Sequence, residues 1–282
     1  MNGQTTSGDR DNLAESIRGY SEIKEKIKNI LYGQILRACF MVPSKIRSRL
    51  CEDLIPIQTT PDGINLYTHG RVSQNWVDFL YKNEPEMQEW IDGFEPESVF
   101  WDIGAGIGYY SIYAALRGHT VFAFEPEPSN FYLLSQNIRL NNADVIALPV
   151  ALNDETCIGP LYNMKSATIG SDHNCFGRLL DAHGRRFIPK SHDSAIGMTM
   201  DTLSRKLLLE PNYVKIDVDG NEDKIISWGI ATLSQVKSLM MECYRDRPDY
   251  NMIIAMVEGV GFSLNNFYEK TGNNIFMKIV TD

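Results

Sequence analysis

The feature that most constrains the fold is a regular alternation of strand-like and helix-like segments that begins at Ser98. Short apolar stretches such as SVFWDI and HTVFAFE are each followed by a segment with helical spacing. This alternation is typical of β-α-β units, in which crossover helices join parallel strands. After a polar stretch over 153–198 the alternation resumes and ends in two consecutive strand-like segments. We therefore predict an α/β fold with a seven-stranded mostly parallel sheet, helices on both faces and a closing hairpin.

A different organisation is predicted for residues 1–60, ahead of an α/β domain over 61–282. From Ile17 apolar residues recur every three or four positions, as in an amphipathic helix, until Pro43 interrupts the pattern. The segment 18–49 carries eight Lys and Arg against two Glu. Two interpretations stay open: a helical appendage that packs on the acidic body, or a surface-lying helix that contacts an anionic membrane.

Charge and cysteine content narrow the classes of partner and compartment. Residues 51–282 hold 18 Lys and Arg against 31 Asp and Glu. Nucleic-acid binding needs clustered cations that neutralise phosphates, so a DNA or RNA substrate is not expected. The five cysteines never form a C-x-x-C pair, and neither a signal-peptide core nor an apolar segment of membrane-spanning length occurs. We expect a cytoplasmic protein with reduced thiols.

The first strand of the alternation runs into a glycine-rich loop. Gly104, Gly106 and Gly108 follow Asp102, and such glycines let the backbone approach a ligand at the carboxyl edge of a parallel sheet. A dinucleotide fingerprint would place its third glycine where the chain has Tyr109. A carboxylate before the loop repels pyrophosphate but can orient a cationic ligand. These features favour S-adenosylmethionine, which carries a sulfonium, an ammonium and no phosphate, over a nicotinamide cofactor.

Acidic side chains mark the ends of three further strands. Glu125 ends the second strand, from where a carboxylate can accept hydrogen bonds from ribose hydroxyls. Asp217, Asp219 and Glu222 precede a later helix, and the period of two places Asp217 and Asp219 on one strand face. Glu242 ends the neighbouring strand, so acids from two strand ends should line one crevice. They could serve as a general base, hold substrate hydroxyls or bind a divalent cation such as Mg²⁺, although part of the cluster could simply cap the helix.

Taken together, these pieces resemble the FkbM-type family of S-adenosylmethionine-dependent methyltransferases, over 61–280. Two positions depart from the family pattern: Gly106 stands where the family usually has Asn, and Asp219 where it usually has Glu. The resemblance rests on separated motifs, namely Glu84-Pro85 with Trp90-Ile91, Asp102 to Ser111, Phe124-Glu125-Pro126 with Pro128, Asn137 and Asn141, Asp201 to Leu203, and Lys215 to Glu222.

The resemblance implies a class I methyltransferase fold, which is Rossmann-like and has one antiparallel strand, with S-adenosylmethionine as methyl donor. It also implies methyl transfer to a hydroxyl oxygen of a saccharide or another small molecule. The predicted catalytic residues are Asp217, Asp219 and Glu222, with His173 and His192 as weaker candidates for the base. The predicted cofactor-binding residues are Glu84, Asp102, Gly104, Ala105, Gly106, Gly108, Glu125, Pro126 and Ala151. The predicted metal ligands are Asp217, Asp219 and Glu242.

Two other functions are weighed against this one. A nicotinamide-dependent oxidoreductase fits the sheet but not the position of the third glycine. A catalytically silent scaffold that only binds S-adenosylmethionine would not need the cluster of acids. The stretch 153–198 is expected to lie over the crevice and to select the acceptor, because loops at such rims often carry specificity.

Overall fold

The structure, a computed structural model, describes Pro43 and residues 56–68, 73–74, 84–164 and 174–279. By its internal contacts the chain divides into two units between Ile55 and Pro56. The basic segment 18–49 lies outside the described residues apart from Pro43, so its packing and its membrane contact stay predictions, as does the domain boundary after residue 60. Within the described part of the chain, no helix is long and apolar enough to cross a membrane.

The second unit alternates short strands with helices. The described strands are β1 (Ile57–Thr59), β2 (Asn65–Tyr67), β3 (Val99–Ile103), β4 (Thr120–Phe124), β5 (Val145–Leu148), β6 (Val150–Leu152), β7 (Cys157–Asn163), β8 (Asn174–Phe176), β9 (Ser191–Met198), β10 (Tyr213–Ile216), β11 (Ser238–Glu242), β12 (Phe262–Tyr268) and β13 (Asn273–Lys278). The described helices are α1 (Pro85–Asp92), α2 (Tyr109–Ala115), α3 (Pro128–Leu140), α4 (Met200–Leu207), α5 (Glu222–Ser227), α6 (Ile230–Leu233) and α7 (Tyr250–Gly259).

Seven of these strands form one sheet in the order β12-β13-β11-β10-β3-β4-β5. Neighbouring strands are parallel except where β13 pairs antiparallel with β11 and with β12. The last two strands therefore close the sheet as a hairpin. This arrangement confirms the predicted α/β, Rossmann-like fold with a seven-stranded mostly parallel sheet and a single antiparallel strand.

Helices cover both faces of the sheet because adjacent strand residues point in opposite directions. Phe100 in β3 packs in a core cluster with Trp90 of α1 and Ile112 of α2. Its neighbour Trp101 belongs to a second cluster that contains Ile225 of α5. All five side chains are buried. The sheet is thus buried on both faces, as parallel sheets usually are.

The apolar stretch 144–152 contains two strands, which are separated by Pro149. β5 continues the large sheet, whereas β6 pairs with β9 in a separate four-stranded sheet of order β6-β9-β7-β8. Proline has no N–H to donate to a strand ladder and restricts the residue before it, which explains the break. The polar stretch 153–198 accordingly supplies three of the four strands of a second sheet.

Candidate active site

A cavity of about 490 Å³ lies at the edge of the large sheet where the carboxyl ends of four strands meet. Gly104, Glu125, Asp217 and Glu242, at or directly after the ends of β3, β4, β10 and β11, line it. The second sheet adds Phe176 to the wall. Open α/β sheets bind their ligands at this edge, so the cavity is the natural candidate for the active site.

Most of the site residues predicted from the sequence line this cavity. Those that do are Glu84, Gly104, Ala105, Gly106, Glu125, Pro126, Ala151, Asp217, Asp219 and Glu242. Three predicted residues, Asp102, Gly108 and Glu222, do not line it. Of the two histidines considered as a base, His173 lies outside the described residues and His192, in β9, is not part of the wall.

The three glycines of the loop have different roles. The amides of Gly104 and Ala105 both donate to the carbonyl of Phe124, at 2.9 and 3.1 Å, which ties the loop to β4. A Cβ atom at Gly106 would meet nothing within 4 Å, so the backbone there is open to a ligand. A Cβ atom at Gly108 would lie 2.4 Å from the Leu134 side chain, so this glycine serves helix packing.

Asp102 acts on the loop from within the core. Its Oδ1 lies 3.1 Å from Nζ of Lys215, and its Oδ2 accepts a 2.6 Å hydrogen bond from Ser111. The same Nζ reaches Asp217 and the carbonyl oxygen of Gly104, each at 3.1 Å. Burial would lower the pKa of Lys215, but Asp102 and Asp217 hold it above its usual value. The fully buried Asp102 thus fixes the lysine and the loop, and it has no surface for direct contact with a cofactor.

Glu125 lies under the glycine loop. Its two oxygens accept hydrogen bonds from the amides of Gly106, at 2.8 Å, and Glu127, at 2.9 Å. Burial raises the pKa of Glu125 to about 8, although these amides act in the opposite direction. A carboxylate has four acceptor positions, so two remain for hydroxyl groups of a bound ligand.

Two more acids with raised pKa values line the cavity. Burial raises the pKa of Glu84 to about 7, against a 2.6 Å hydrogen bond from the Tyr110 hydroxyl. Burial and the nearby Asp217 and Asp219 raise the pKa of Glu242 well above its usual value. Ionisation of these carboxyl groups is costly without a cationic ligand and becomes favourable when a cation lies beside them.

The expected divalent-cation site is not formed. No group of three or more His, Cys, Asp or Glu side chains in the described residues is arranged to hold a metal ion. The strand β10 ends at Ile216, so Asp217 and Asp219 do not share a strand face, and Asp219 has a left-handed backbone with φ of 57°. The ammonium of Lys215 already neutralises Asp217. Among the described residues, these three acids are therefore not arranged as a set of ligands for one metal ion.

Glu222, predicted as catalytic, is enclosed by protein. Its Oε2 accepts a 2.5 Å bond from Nη1 of Arg247, and its Oε1 accepts the amide of Gly220 at 3.0 Å. The side chains of Glu222 and Arg247 are 1% and 0% exposed. These contacts occupy both oxygens and leave no path to a ligand, so Glu222 is a structural residue that joins α5 to the segment before α7.

The structure adds cavity residues that the sequence analysis missed. Tyr244 donates to Glu242 at 2.8 Å, and Tyr110 donates to Glu84. His183, from the connection between β8 and β9, also lines the wall. Tyr110 lies within the motif from Asp102 to Ser111, but nothing in that motif indicates its contact with Glu84. Tyr244 and His183 lie in none of the motifs, and His183 contacts Asp246 across 63 residues of sequence, so no local signal indicates these two residues.

The sequence comparison decides the family. The methyltransferase FkbM domain matches residues 102–264, more than half of the 282-residue chain. The chain belongs to the FkbM methyltransferase family. The matched range begins at Asp102, ahead of the glycine loop, and ends within β12.

Known proteins similar to this FkbM-family chain include a curated relative and several solved structures. The hexuronic acid methyltransferase AglP of Haloferax volcanii is 26% identical over 160 residues, which are 55% of this chain and 59% of the relative. A putative rRNA methylase of Clostridium thermocellum has a TM-score of 0.45 at 9% identity and covers 70% of this chain and 96% of its own. Magnesium protoporphyrin IX methyltransferase of Synechocystis with bound SAM has a TM-score of 0.43 at 13% identity and covers 76% and 88%.

The chemistry available to this FkbM-family cavity follows from its charges. Six carboxyl groups share the wall with the cation of Lys215, namely those of Glu84, Glu125, Asp181, Asp217, Asp219 and Glu242. A ligand that carries positive charge would favour their ionised forms, whereas a pyrophosphate would be repelled. The glycine backbone and the acceptor positions of Glu125 are suited to a nucleoside.

Proposed function

We propose that this chain is an S-adenosylmethionine-dependent O-methyltransferase that acts on a hydroxyl group of a saccharide or a similar small molecule. The observation that carries the proposal is the cavity at the strand ends, which combines an open glycine backbone with buried carboxyl groups. A bound S-adenosylmethionine would supply the methyl group as an electrophile on its sulfonium.

The residues present fit this donor. Gly106 gives the ligand access to the backbone, and Glu125 offers acceptor positions for ribose hydroxyls. Glu84 and Glu242 lie in the same wall, where ionisation beside the sulfonium and ammonium would offset the cost of burial. The six carboxyl groups of the wall also count against a nicotinamide dinucleotide, because its pyrophosphate would add negative charge beside acids that are already costly to ionise.

The class of acceptor is supported by the second sheet and by the curated relative. Leu161, Phe176 and Met164 add apolar side chains to the lining of the cavity. Apolar faces paired with hydrogen-bonding acids suit a pyranose ring. The relative from Haloferax volcanii is named as a hexuronic acid methyltransferase, and this chain spans 59% of its length.

The experiment that tests the proposal has two stages. A thermal shift screen with S-adenosylmethionine, S-adenosylhomocysteine and NAD identifies the ligand, because a ligand at 100 times its Kd adds about 2.7 kcal/mol. Transfer of radiolabelled methyl groups is then measured with neutral pyranosides and hexuronic acids. Stabilisation by NAD alone, or donor binding without transfer to any acceptor, would contradict the proposal.

Glu125→Gln should weaken donor binding by about 10- to 100-fold. At pH 9, above its pKa of about 8, Glu125 is ionised. Glutamine then offers one acceptor oxygen in place of two, so a ribose hydroxyl loses a charge-assisted bond of about 1.5–3 kcal/mol. The matched control is Glu127→Gln, because Glu127 is equally buried, caps α3 and does not line the cavity. Calorimetry measures both affinities, and equal effects in the two variants would show that Glu125 is only a loop residue.

Donor affinity should depend on pH through Glu84. This carboxyl is neutral below its pKa of about 7 and becomes an anion above it, so it attracts a cationic donor only at higher pH. We expect the parent and Glu84→Gln to bind the donor alike at pH 6, and the parent to bind about tenfold more tightly at pH 8. Comparing the two proteins at each pH cancels the titration of the donor itself, and parallel affinity curves would refute the role of Glu84.

A further inference from the structure

We propose that His183 is the general base that removes the proton from the acceptor hydroxyl, and that Asp246 is the residue that positions it. This inference rests on the proposed O-methyltransferase function and names a catalytic residue for it. It rests on the contact of His183, which lines the cavity, with Asp246, and on the packing of His183 against Tyr244, whose hydroxyl donates to Glu242.

A tight turn presents His183 to the cavity. The carbonyl of Asp181 accepts the amide of Gly184 at 2.8 Å, and the amide of Asp181 donates to the carbonyl of Arg185 at 3.0 Å. The carboxylate of Asp181 accepts the amides of His183 and Arg185, at 3.0 and 2.8 Å. The histidine therefore lies on a turn whose backbone is held at several points.

Asp246 orients the imidazole from a segment 63 residues further along the chain. Nδ1 of His183 lies 2.7 Å from Oδ1 of Asp246. The hydrogen bond from His183 lowers the pKa of Asp246, so this carboxylate is ionised near neutrality and can only accept. Nδ1 must then carry the proton, which leaves the lone pair of a neutral imidazole on Nε2. Among the described residues, no hydrogen-bond partner occupies Nε2, so it is available to a substrate.

The imidazole belongs to the same wall as the acids at the strand ends. Its ring centroid lies 4.3 Å from that of Tyr244, at an angle of 32°. The Tyr244 hydroxyl donates to Glu242 at 2.8 Å, and all three residues line the cavity with Asp217. His183, Tyr244 and Glu242 thus form a continuous series of contacts along the cavity wall.

The acids are weaker candidates for the base. Asp217 is already paired with Lys215 at 3.1 Å, and Glu242 already accepts a hydrogen bond from the Tyr244 hydroxyl at 2.8 Å. Imidazole is the side chain best matched to base catalysis near neutral pH. The side chain of His183 is 34% exposed, so the proton it takes can pass to solvent after each turnover.

His183 accepts the proton that the acceptor hydroxyl loses during methyl transfer. The O–H bond of the acceptor breaks as its oxygen forms a bond to the methyl carbon, and the electron pair of the carbon–sulfur bond stays on the sulfur, which becomes a neutral thioether. The proton moves to Nε2 of His183. The resulting imidazolium is stabilised by Asp246 until it releases the proton to water.

Charged and titratable groups surround His183 on its own turn and on the segment after β11. Asp181 and Arg185 lie on its own turn, and Arg185 also reaches Asp246 at 3.4 Å. Tyr244 and Asp246 contact His183 from the segment after β11, and Glu242 of β11 contacts Tyr244. The acids Asp217 and Asp219 share the cavity wall.

The experiment compares His183→Gln and Asp246→Asn with a control, His192→Gln, which alters a histidine outside the cavity wall. Donor Kd is measured by calorimetry. Methyl transfer is measured with methyl β-D-glucopyranoside, D-glucuronic acid and D-galacturonic acid.

We expect His183→Gln to lower kcat by about 10²- to 10⁴-fold with donor Kd within twofold of the parent. Asp246→Asn should raise the share of the Nε2-protonated tautomer in ¹⁵N NMR spectra and shift the acidic limb of the kcat profile, while His192→Gln should match the parent.

Three outcomes would contradict either the assignment of His183 as the base or the proposed function. A His183→Gln variant that keeps its kcat on an acceptor methylated by the parent would overturn the base assignment and leave the proposed function standing. An alkali-labile methyl ester as the product would also overturn the assignment, because a carboxylate acceptor needs no base. A parent protein that binds the donor but methylates none of the acceptors would overturn the proposed function and this inference with it.

Discussion

Replacing Arg247 with methionine is expected to destabilise the protein by about 3–5 kcal/mol. The substitution leaves the carboxylate of Glu222 buried without its charge partner, and breaking a buried ion pair from one side has this cost. Asp249, the other partner of Arg247, is 29% exposed and can be solvated instead. Denaturant unfolding of the parent and the variant measures the difference.

Two further variants separate a lost ion pair from lost packing. Arg117→Met removes a pair with Asp92 in which the side chains are 35% and 51% exposed, and it should cost at most about 1 kcal/mol. The double variant with Arg247→Met and Glu222→Gln removes both buried charges and should recover much of the stability. A double variant as unstable as Arg247→Met alone would show that Arg247 acts through packing. If the double variant is stable and retains methyl transfer, Glu222 has no catalytic role.

Gly104→Ala is expected to destabilise the protein by about 3 kcal/mol and to abolish donor binding. A Cβ atom at this position would lie 1.8 Å from the carbonyl oxygen of Asp217, and φ is +79°. A backbone contact that short forces the loop and β10 apart, and the left-handed conformation adds a further cost. The carbonyl oxygen of Gly104 would also move away from Lys215, so the ion pairs below the loop would be strained. Thermal unfolding and calorimetry with S-adenosylmethionine measure the two effects.

Gly106→Ala is the matched control for the loop. Its φ of +56° makes alanine cost about 1–2 kcal/mol, but the added methyl group meets no protein atom within 4 Å. We expect this variant to fold and to bind the donor much as the parent does, because the added methyl group meets no protein atom and the family pattern usually has the larger Asn at this position. Equal destabilisation by the two substitutions would show that the contact with Asp217 does not control the loop.

Local sequence patterns determined the architecture and the donor side of the candidate site. The alternation after Ser98 specifies parallel strands because helices must cross over between them, and the glycines after β3 require backbone conformations that other residues avoid. The sequence also predicts that Glu125 and Glu242 lie at the same site, because the carboxyl ends of parallel strands meet at one edge of the sheet. Their burial and raised pKa values are not visible in the sequence, because they depend on the neighbours that the fold supplies.

Only the tertiary structure decided which charged groups face the cavity. Glu222 and Asp219 are close neighbours in an acidic motif, yet Glu222 is paired with Arg247 inside the protein while Asp219 lines the wall. His183 and Asp246 are far apart in the chain, and no pattern in either segment indicates their contact. The physical reason is that backbone periodicity fixes strands, helices and the loops at their ends, whereas the pairing of charges depends on long-range packing between segments with no shared period.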